Sequence, residues 1–335
     1  MSRVNSALRS GLFWVGLLVT GVFTYLAVRD VRLEEASQAL RSSNYWWLVP
    51  ALAVLGIFIL VRAIRWRYLF TRPTRPSLHA VSAALLLGYF FNNILPARAG
   101  EVARVIALKQ RAGTSRAETA ATVMIERGYD VLCLLILLFV ALPWLPPVSW
   151  LPAAVYLAIA LAVTLAVAIG VLSIWGDRAL RLAMRPFVRL PFLRKRAEEI
   201  TRSLGQGLAG LRSARIGLAA LVWTTVSWLL LAISFWFVML AFDLELSPIA
   251  GLFVVIAVGL VMILPSSPGS LGVFEAAVLL ALGAYGISDS RALPYALVLH
   301  AVNFVPYLVV GFLVLRRHTA VVRGRARSLT PRPEM

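Results

Sequence analysis

The residues best suited to chemistry are charged side chains within apolar sequence, and the densest group follows residue 97. Arg98, Glu101 and Arg104 are spaced by three residues, so a helix would place them on one face. They follow Asn92-Asn93-Ile94-Leu95-Pro96, in which the proline ends one helix and suits the first turn of the next. The N-terminus of that second helix, beside Arg98, would bind a phosphate group. The alternative is a structural Arg98–Glu101 ion pair that fixes this loop.

A second group of charges, Glu126, Arg127 and Asp130, lies within a long apolar stretch. One unpaired charge at the centre of a membrane helix costs about 2.5–3.5 kcal/mol, so these three side chains need partners. We predict that Arg127 pairs with Glu101, and that Arg98 pairs with Glu126 or Asp130. The alternative is that the group lies near the cytoplasmic end of its helix, with Arg127 reaching the lipid headgroups.

A third carboxylate, Glu275, follows a break rich in proline and glycine. It is isolated in apolar sequence, so we expect it either to accept a proton or to pair with Arg98 or Arg127; a purely structural partner is the alternative. Farther along the chain, His300 and Asn303 share one helix face. We predict that they hydrogen-bond between helices, with a proton relay as the alternative function of His300.

The composition shows that these charges belong to a membrane protein. Of 335 residues, 60% are hydrophobic and only 14% are charged, whereas a soluble domain has about 25% charged residues. The stretches Gly11–Val28 and Ile216–Phe242 contain no charge, and about 20 apolar residues match the hydrocarbon thickness of a bilayer. The sequence therefore predicts an all-α, polytopic membrane protein.

Several function classes are excluded by the residues that are missing. The net charge of +18 lies in connections between apolar stretches, which predicts no nucleic-acid partner. Cys133 is the single cysteine, and His79, His300 and His318 lie far apart, so we predict no metal site and no cofactor. No phosphate-binding glycine loop or nucleophile motif is present, so we predict that the protein is not an enzyme. An enzyme that acts on a lipid phosphate, with Glu or Asp as base, is the remaining enzymatic alternative.

The distribution of bases between the apolar stretches predicts the topology. Six stretches are long enough to span a bilayer: residues 11–28, 45–61, 117–144, 151–175, 216–242 and 293–315. Two more, 78–108 and 249–285, are interrupted by Pro, Gly and polar residues. The connections 62–77, 98–116 and 176–215 and the tail from residue 316 hold five, five, ten and six bases. The positive-inside rule places these four segments, and both termini, in the cytoplasm.

Two segments must then enter and leave the membrane on the same side, because the connections on either side of each have the same charge character. We therefore predict six full transmembrane helices plus two re-entrant hairpins, 78–108 and 249–285. The residues that we expect to form the hairpins are Asn92, Asn93, Pro96, Gly100, Pro265, Pro268, Gly269 and Gly272. Each hairpin follows two spans and precedes one, so residues 1–145 and 146–318 form two inverted repeats, followed by a basic tail at 319–335. Broken helices in matching positions of inverted repeats are typical of transporters.

The sequence resembles the lysylphosphatidylglycerol synthase transmembrane family over residues 10–318. The motifs that carry the resemblance are Asn92–Glu101 with Arg104, Glu126-Arg127 with Asp130, and Pro268–Gly272 with Glu275. The resemblance implies that, in bifunctional members, this module moves aminoacylated phosphatidylglycerol across the membrane. A separate cytosolic acyltransferase domain of those members synthesises that lipid. We expect that catalytic domain to be absent here. Members without it are often linked to polyprenyl-phosphate or glycolipid traffic, which leaves the lipid open.

These observations predict a flippase-like translocase of the bacterial inner membrane that carries an anionic phospholipid or a polyprenyl-phosphate-linked lipid through a polar groove between the repeats. Arg98, Glu101, Arg104, Glu126, Arg127, Asp130 and Glu275 are the predicted translocation residues. We expect the basic loop 176–215 to lie on an anionic leaflet. The expected partners are the lipid substrate and a separate lipid-modifying enzyme. The alternative function is a non-transporting scaffold for an envelope glycosyltransferase complex.

Overall fold

The chain is helical throughout the part that the computed structural model describes, which is residues 11–29, 31–70, 75–95, 98–188, 214–262 and 268–328. These residues form eleven α-helices, which we number in chain order. They are α1 (Gly11–Val28), α2 (Leu33–Ser42), α3 (Leu48–Tyr68), α4 (Leu78–Ile94), α5 (Gly100–Ala112), α6 (Arg116–Ala141), α7 (Leu151–Val188), α8 (Ala214–Ala241), α9 (Pro248–Val261), α10 (Val273–Gly283) and α11 (Asp289–Ser328). The prediction of an all-helical chain is confirmed for these residues.

Within the described residues, three helical segments are long and apolar enough to cross a membrane by themselves: Tyr45–Tyr68, Arg215–Ala241 and Asp289–Arg317. They contain α3, α8 and most of α11. The other three predicted spans overlap α1, α6 and α7. Helix α7 continues beyond the predicted end at residue 175 to Val188, into the predicted basic loop 176–215, and residues 189–213 of that loop lie outside the described residues. Helix α6 has 26 residues but contains Glu126, Arg127 and Asp130, so its length alone does not make it a typical span.

The predicted end of the second span, at residue 61, is wrong. The first strongly basic connection was placed at 62–77, but α3 continues as a helix to Tyr68. Arg62 and Arg65 are therefore helical residues, and both are buried. The apolar run of the sequence ends at Val61, whereas the helix ends seven residues later because its last two turns bury these arginines within the protein.

Both predicted breaks are present, each between two short helices that pack against each other. The first lies between α4 and α5, and the second between α9 and α10. The chain turns through left-handed backbone conformations at Arg98, Gly269 and Gly272, with φ of 53°, 69° and 78°. Of the predicted hairpin residues, Pro96 and Pro265 lie outside the described residues.

Helix α5 lies unusually close to α4. A Cβ atom on Gly100 would overlap the backbone oxygen of Gly88, and one on Gly88 would overlap the side chain of Arg104. Two glycines thus let the second half of the break pack directly on the backbone of the first half. The same junction is fixed by Asn92, whose Oδ1 accepts the Gly100 amide hydrogen at 2.8 Å.

The helices pack around a central pair, α3 and α8. Helix α4 packs on α3 and α11, while α9 packs on α8 and α6. Large apolar side chains on the outward faces are exposed, among them Leu60, Val163 and Phe312. An apolar exterior of this extent is typical of a protein surrounded by lipid.

The contact between α4 and α5 yields a stability prediction. A Cβ atom at position 100 would push the Gly88 carbonyl and the Asn92 side chain away from α5. We therefore expect Gly100→Ala to lower the free energy of unfolding by about 1–3 kcal/mol. Gly56, on the exposed face of α3, is the matched control because a Cβ there meets no atom within 4 Å. Gly56→Ala should be neutral or slightly stabilising. Thermal unfolding of both variants in detergent, followed by tryptophan fluorescence, checks this; equal midpoints would contradict the close packing.

Candidate functional site

A cluster of buried charges joins three helices that are distant in sequence. Helix α3 contributes Arg62 and Arg65, α5 contributes Arg104, and α6 contributes Glu126 and Asp130. Each of these five residues is at most 4% exposed. Charges buried to this degree must be paired and hydrogen-bonded, because the cost of removing them from water is several kcal/mol for each ion.

Two arginines of α3 hold both carboxylates of α6. Arg62 Nη2 lies 2.7 Å from Asp130 Oδ2 and 3.1 Å from Glu126 Oε1. Arg65 Nη1 lies 2.6 Å from Asp130 Oδ1, and its Nη2 donates to Glu126 Oε1. Arg65 also donates to Thr224 Oγ1 of α8 at 2.9 Å, so the cluster reaches the central helix pair. These bonds connect α3, α6 and α8 through one polar network.

Arg104 connects the second half of the broken helix to this network. Its Nη2 lies 2.7 Å from Glu126 Oε2. Its guanidinium carbon lies 3.9 Å from the ring centroid of Trp66, within the range of a cation–π interaction. The Trp66 indole in turn donates to Thr122 Oγ1 of α6 at 3.0 Å. Through Arg104, α5 is held to one carboxylate of α6 and one aromatic ring of α3.

The accessible edge of the cluster is formed by Glu101 and Arg127. Arg127 Nη2 donates to Glu101 Oε1, which confirms the predicted pair. Arg127 Nη1 also lies 3.5 Å from Asp130 Oδ2, and Arg104 Nη1 lies 3.5 Å from Glu101 Oε2. The Arg127 side chain is 36% exposed and that of Glu101 is 20% exposed, so an incoming group meets these two residues before the buried ones.

The cluster has more positive than negative charge. Its four arginines (62, 65, 104 and 127) and three carboxylates (Glu101, Glu126 and Asp130) leave one positive charge. Several buried donors have no hydrogen-bond partner among the described residues: the Nε atoms of Arg62, Arg65, Arg104 and Arg127, and the hydroxyl of Tyr89. Unused donors and excess positive charge together favour an anionic ligand.

Two of these cluster residues were missed by the sequence analysis. Arg62 and Arg65 were counted as bases of a cytoplasmic connection, because the apolar run ends just before them. Their spacing of three residues and the neighbouring Trp66 continue the helical pattern, and this was the available signal. Their carboxylate partners, 61 to 68 residues away in the chain, could not be assigned from spacing.

Arg98 occupies a different position from the predicted one. It precedes α5 instead of lying on it, and it makes no pair with Glu126 or Asp130. Its exposed side chain donates from Nη2 to the backbone oxygen of Met262, at the C-terminal end of α9. A cation at a helix C-terminus is favourable because the last carbonyl groups carry partial negative charge. Arg98 thus links the two broken helices.

Two of the backbone amides at the start of α5, which were predicted to be free, already donate hydrogen bonds within the protein. The Gly100 amide donates to Asn92 Oδ1, and the Glu101 amide donates to the Arg98 backbone oxygen at 2.9 Å. The helix N-terminus is therefore a weaker anion site than the sequence suggests, and the arginine side chains are the stronger candidates.

The third predicted carboxylate has another partner. Glu275 pairs with neither Arg98 nor Arg127: its Oε1 lies 2.5 Å from His300 Nδ1, and its Oε2 accepts the Gly272 amide hydrogen at 2.7 Å. Both side chains of this pair are buried. Asn303 does not bridge helices, since it donates to the Leu299 carbonyl of its own helix at 2.9 Å.

The two breaks meet each other. Asn93 Nδ2 donates to the Phe304 carbonyl oxygen at 3.4 Å, and Gly269 lies against the Phe304 ring. Together with the bond from Arg98 to Met262, these contacts place both breaks side by side. The structure thus brings together Arg104, Glu101, Glu126, Arg127 and Asp130 in one cluster, with Arg98 and Glu275 outside it.

Comparison with known proteins identifies the family. The family model of the lysylphosphatidylglycerol synthase TM region matches residues 13–311. A UPF0104 membrane protein of Methanothermobacter thermautotrophicus is 26% identical over 300 residues, which cover 84% of this chain and 87% of that protein. A UPF0104 membrane protein of Methanocaldococcus jannaschii is 24% identical over 225 residues, covering 67% of this chain and 92% of that protein. With these matches, and its apolar helices, the chain is a membrane protein that belongs to the lysylphosphatidylglycerol synthase transmembrane-region family.

Proposed function

We propose that this protein moves a lipid with an anionic headgroup between the two leaflets of the cell membrane. The observation that carries the proposal is the buried cluster with one excess positive charge and unpartnered guanidinium donors. A charged headgroup cannot cross hydrocarbon without a compensating charge. A fixed, desolvated positive site beside two broken helices supplies that compensation at the place where transporters bind their substrates.

The proposed architecture has six spans and two re-entrant hairpins in two inverted repeats. It is supported by the way the packing pairs match when the repeats are exchanged. In the two proposed repeats, α3 corresponds to α8, α4 to α9, α5 to α10 and α6 to α11. The contact of α4 with α11 then corresponds to the contact of α9 with α6, and both contacts are present. The same holds for α3–α4 and α8–α9, for α5–α6 and α10–α11, and for α3–α6 and α8–α11.

The side chains repeat as well. In each half, a carboxylate in the first turn of the second short helix pairs with a base on the following long helix. In the first half the pair is Glu101 with Arg127, and in the second half it is Glu275 with His300. Equivalent pairs in equivalent places support two repeats at 1–145 and 146–318.

In the proposed cycle, a phosphate-containing headgroup first meets the exposed side chain of Arg98 and then Arg127 at the edge of the cluster. Arg62 and Arg65 stay bound to Glu126 and Asp130, and their charges contribute to the positive electrostatic potential at the site. The acyl chains remain in lipid along the apolar outer faces. Rocking of one repeat against the other separates the two breaks and exposes the groove to each side in turn.

A non-transporting scaffold is the second candidate, and one observation favours it. Nearly all cluster charges already have partners, with Glu126 contacting three arginines, as in a purely structural network. In that case the charges would affect stability alone. The transport measurement below separates the two functions.

Arg98→Ala should reduce lipid translocation at least tenfold, because Arg98 is the first base that the headgroup meets in the proposed cycle. The protein should stay folded, since Arg98 is exposed and its bond is to a backbone oxygen. The assay is dithionite reduction of acyl-labelled phosphatidylglycerol in proteoliposomes. The fraction of label that stays protected falls only if lipid crosses. Lys109→Ala, an exposed base at the end of α5, is the matched control and should behave like wild type. Equal rates for Arg98→Ala and wild type would remove Arg98 from the pathway.

The proposed topology predicts the side from which single cysteines react. In a Cys133→Ser background, cysteines at the exposed positions His79 and Lys109 flank the first hairpin and should both react from the cytoplasmic side. A cysteine at Ser288, in the connection before α11, should react from the opposite side. A membrane-impermeant maleimide applied to inverted and right-side-out vesicles measures this. Reaction of positions 79 and 109 from opposite sides would exclude the hairpin and the inverted repeat.

A further inference from the structure

We infer that Glu275 and His300 form a proton-binding site, and that one proton moves with each anionic lipid charge. This inference rests on the proposed lipid translocation and adds its energy source. The site lies in the second half of the molecule, apart from the arginine cluster. Its ligand is the proton, and its two side chains are of the types that relay protons inside membrane proteins.

The pair is a built and enclosed site. His300 Nδ1 and Glu275 Oε1 are 2.5 Å apart, and the two residues are 8% and 4% exposed. The His300 ring lies between Phe274 and Phe304, with ring centroids 4.7 and 5.6 Å away. The second oxygen of Glu275 accepts the Gly272 amide hydrogen. Nitrogen and oxygen at this separation are joined by a hydrogen bond.

The helices around this pair carry other ionisable groups. Helix α9 has none, and α10 has only Glu275. Those on the neighbouring helices are Tyr25 on α1, Glu34, Glu35 and Arg41 on α2, Arg62, Arg65, Arg67 and Tyr68 on α3, His79 and Tyr89 on α4, Arg215 on α8, and Tyr295 and Tyr307 within two turns of His300 on α11. Arg62 and Arg65 are bound to Glu126 and Asp130. Among the described residues, His300 is therefore the ionisable partner of the Glu275 carboxylate.

The charge of this pair changes by one unit with one proton. With neutral histidine and ionised glutamate the pair has a charge of −1, and with one proton added, on either residue, its charge is zero. A buried net charge is unfavourable in a membrane protein. A negative charge on the pair therefore needs compensation by a positive charge elsewhere in the protein.

The arginine cluster supplies that compensation. Its four arginines and three carboxylates leave one positive charge. With the cluster empty and the pair deprotonated, the charges of these two sites sum to zero, since +1 and −1 cancel. With one anionic headgroup in the cluster and the pair protonated, their charges also sum to zero. An empty cluster with a protonated pair has a summed charge of +1, and an occupied cluster with a deprotonated pair has a summed charge of −1. The two combinations whose charges sum to zero are therefore the ones that reorient across hydrocarbon. This balance couples one proton to one anionic charge in the same direction.

A structural path connects the pair to the place where the breaks meet. Glu275 holds the Gly272 amide at the start of α10, where Gly272 has φ of 78°. One turn after His300, the Phe304 carbonyl accepts from Asn93 and its ring contacts Gly269. A carboxylate binds an amide hydrogen more strongly than a protonated carboxyl does. A proton on Glu275 therefore loosens the start of α10 next to the contact with the first break.

The test uses proteoliposomes with acyl-labelled phosphatidylglycerol and an imposed pH difference, with the membrane potential held at zero by valinomycin and equal potassium. Dithionite reports the share of label in the outer leaflet. Wild type should accumulate the lipid in the leaflet facing the alkaline side, up to about tenfold for each pH unit. Glu275→Gln keeps an acceptor for the Gly272 amide but cannot bind a proton, and His300→Gln removes the base. Both variants should leave the two leaflets equally labelled.

Asn303→Ala is the control, because it removes a hydrogen bond of the same helix without touching the pair, and it should accumulate lipid like wild type. Lipid exchange in wild type that ignores the pH difference would overturn the coupling and leave the translocase standing. Accumulation by both Glu275→Gln and His300→Gln would overturn the assignment of the site. Absence of any exchange in wild type, at equal or unequal pH, would overturn both the coupling and the proposed function.

Discussion

The constraint on which this structure depends is that every charge buried within its helices needs an opposite charge. Glu126 and Asp130 lie in the middle of α6, and without partners their cost would prevent insertion of that helix. Arg62 and Arg65 of α3 and Arg104 of α5 meet that requirement. The position of α5, and therefore of the first break, follows from this pairing. Removing one member would leave an uncompensated buried charge, which is far more costly than replacing the whole group by apolar residues.

The same pairing creates the conditions for function. A network that only had to fix helices would need equal numbers of positive and negative charges, whereas this one has one extra arginine and several unused donors. The two breaks touch at Arg98 and Met262 and at Asn93 and Phe304, through one exposed side chain and one long hydrogen bond. The molecule therefore combines a buried charged centre with a junction between the two broken helices beside it.

Much of the fold was predictable because apolar runs and proline-glycine breaks are local signals. Both breaks lie within the predicted segments, whereas α3 and α7 continue beyond their predicted ends. The Arg127–Glu101 pair was predicted from residue types and approximate depth. The partners of Glu126 and Glu275 were not predictable, since they depend on which helices pack together. Arg62 and Arg65 were assigned to a surface connection because hydropathy marks where apolar sequence ends, not where a helix ends. Arg98 was misplaced because its positive φ ends the regular geometry on which spacing arguments rely.

A fixed excess of positive charge should select an anionic headgroup over a zwitterionic or cationic one. The most direct measurement compares wild-type translocation rates, in identical proteoliposomes, for three acyl-labelled lipids with the same chains: phosphatidylglycerol, zwitterionic phosphatidylcholine, and phosphatidylglycerol that carries a cationic aminoacyl group. Phosphatidylglycerol should cross at least tenfold faster than the other two. Equal rates for all three, or fastest movement of the cationic lipid, would contradict it.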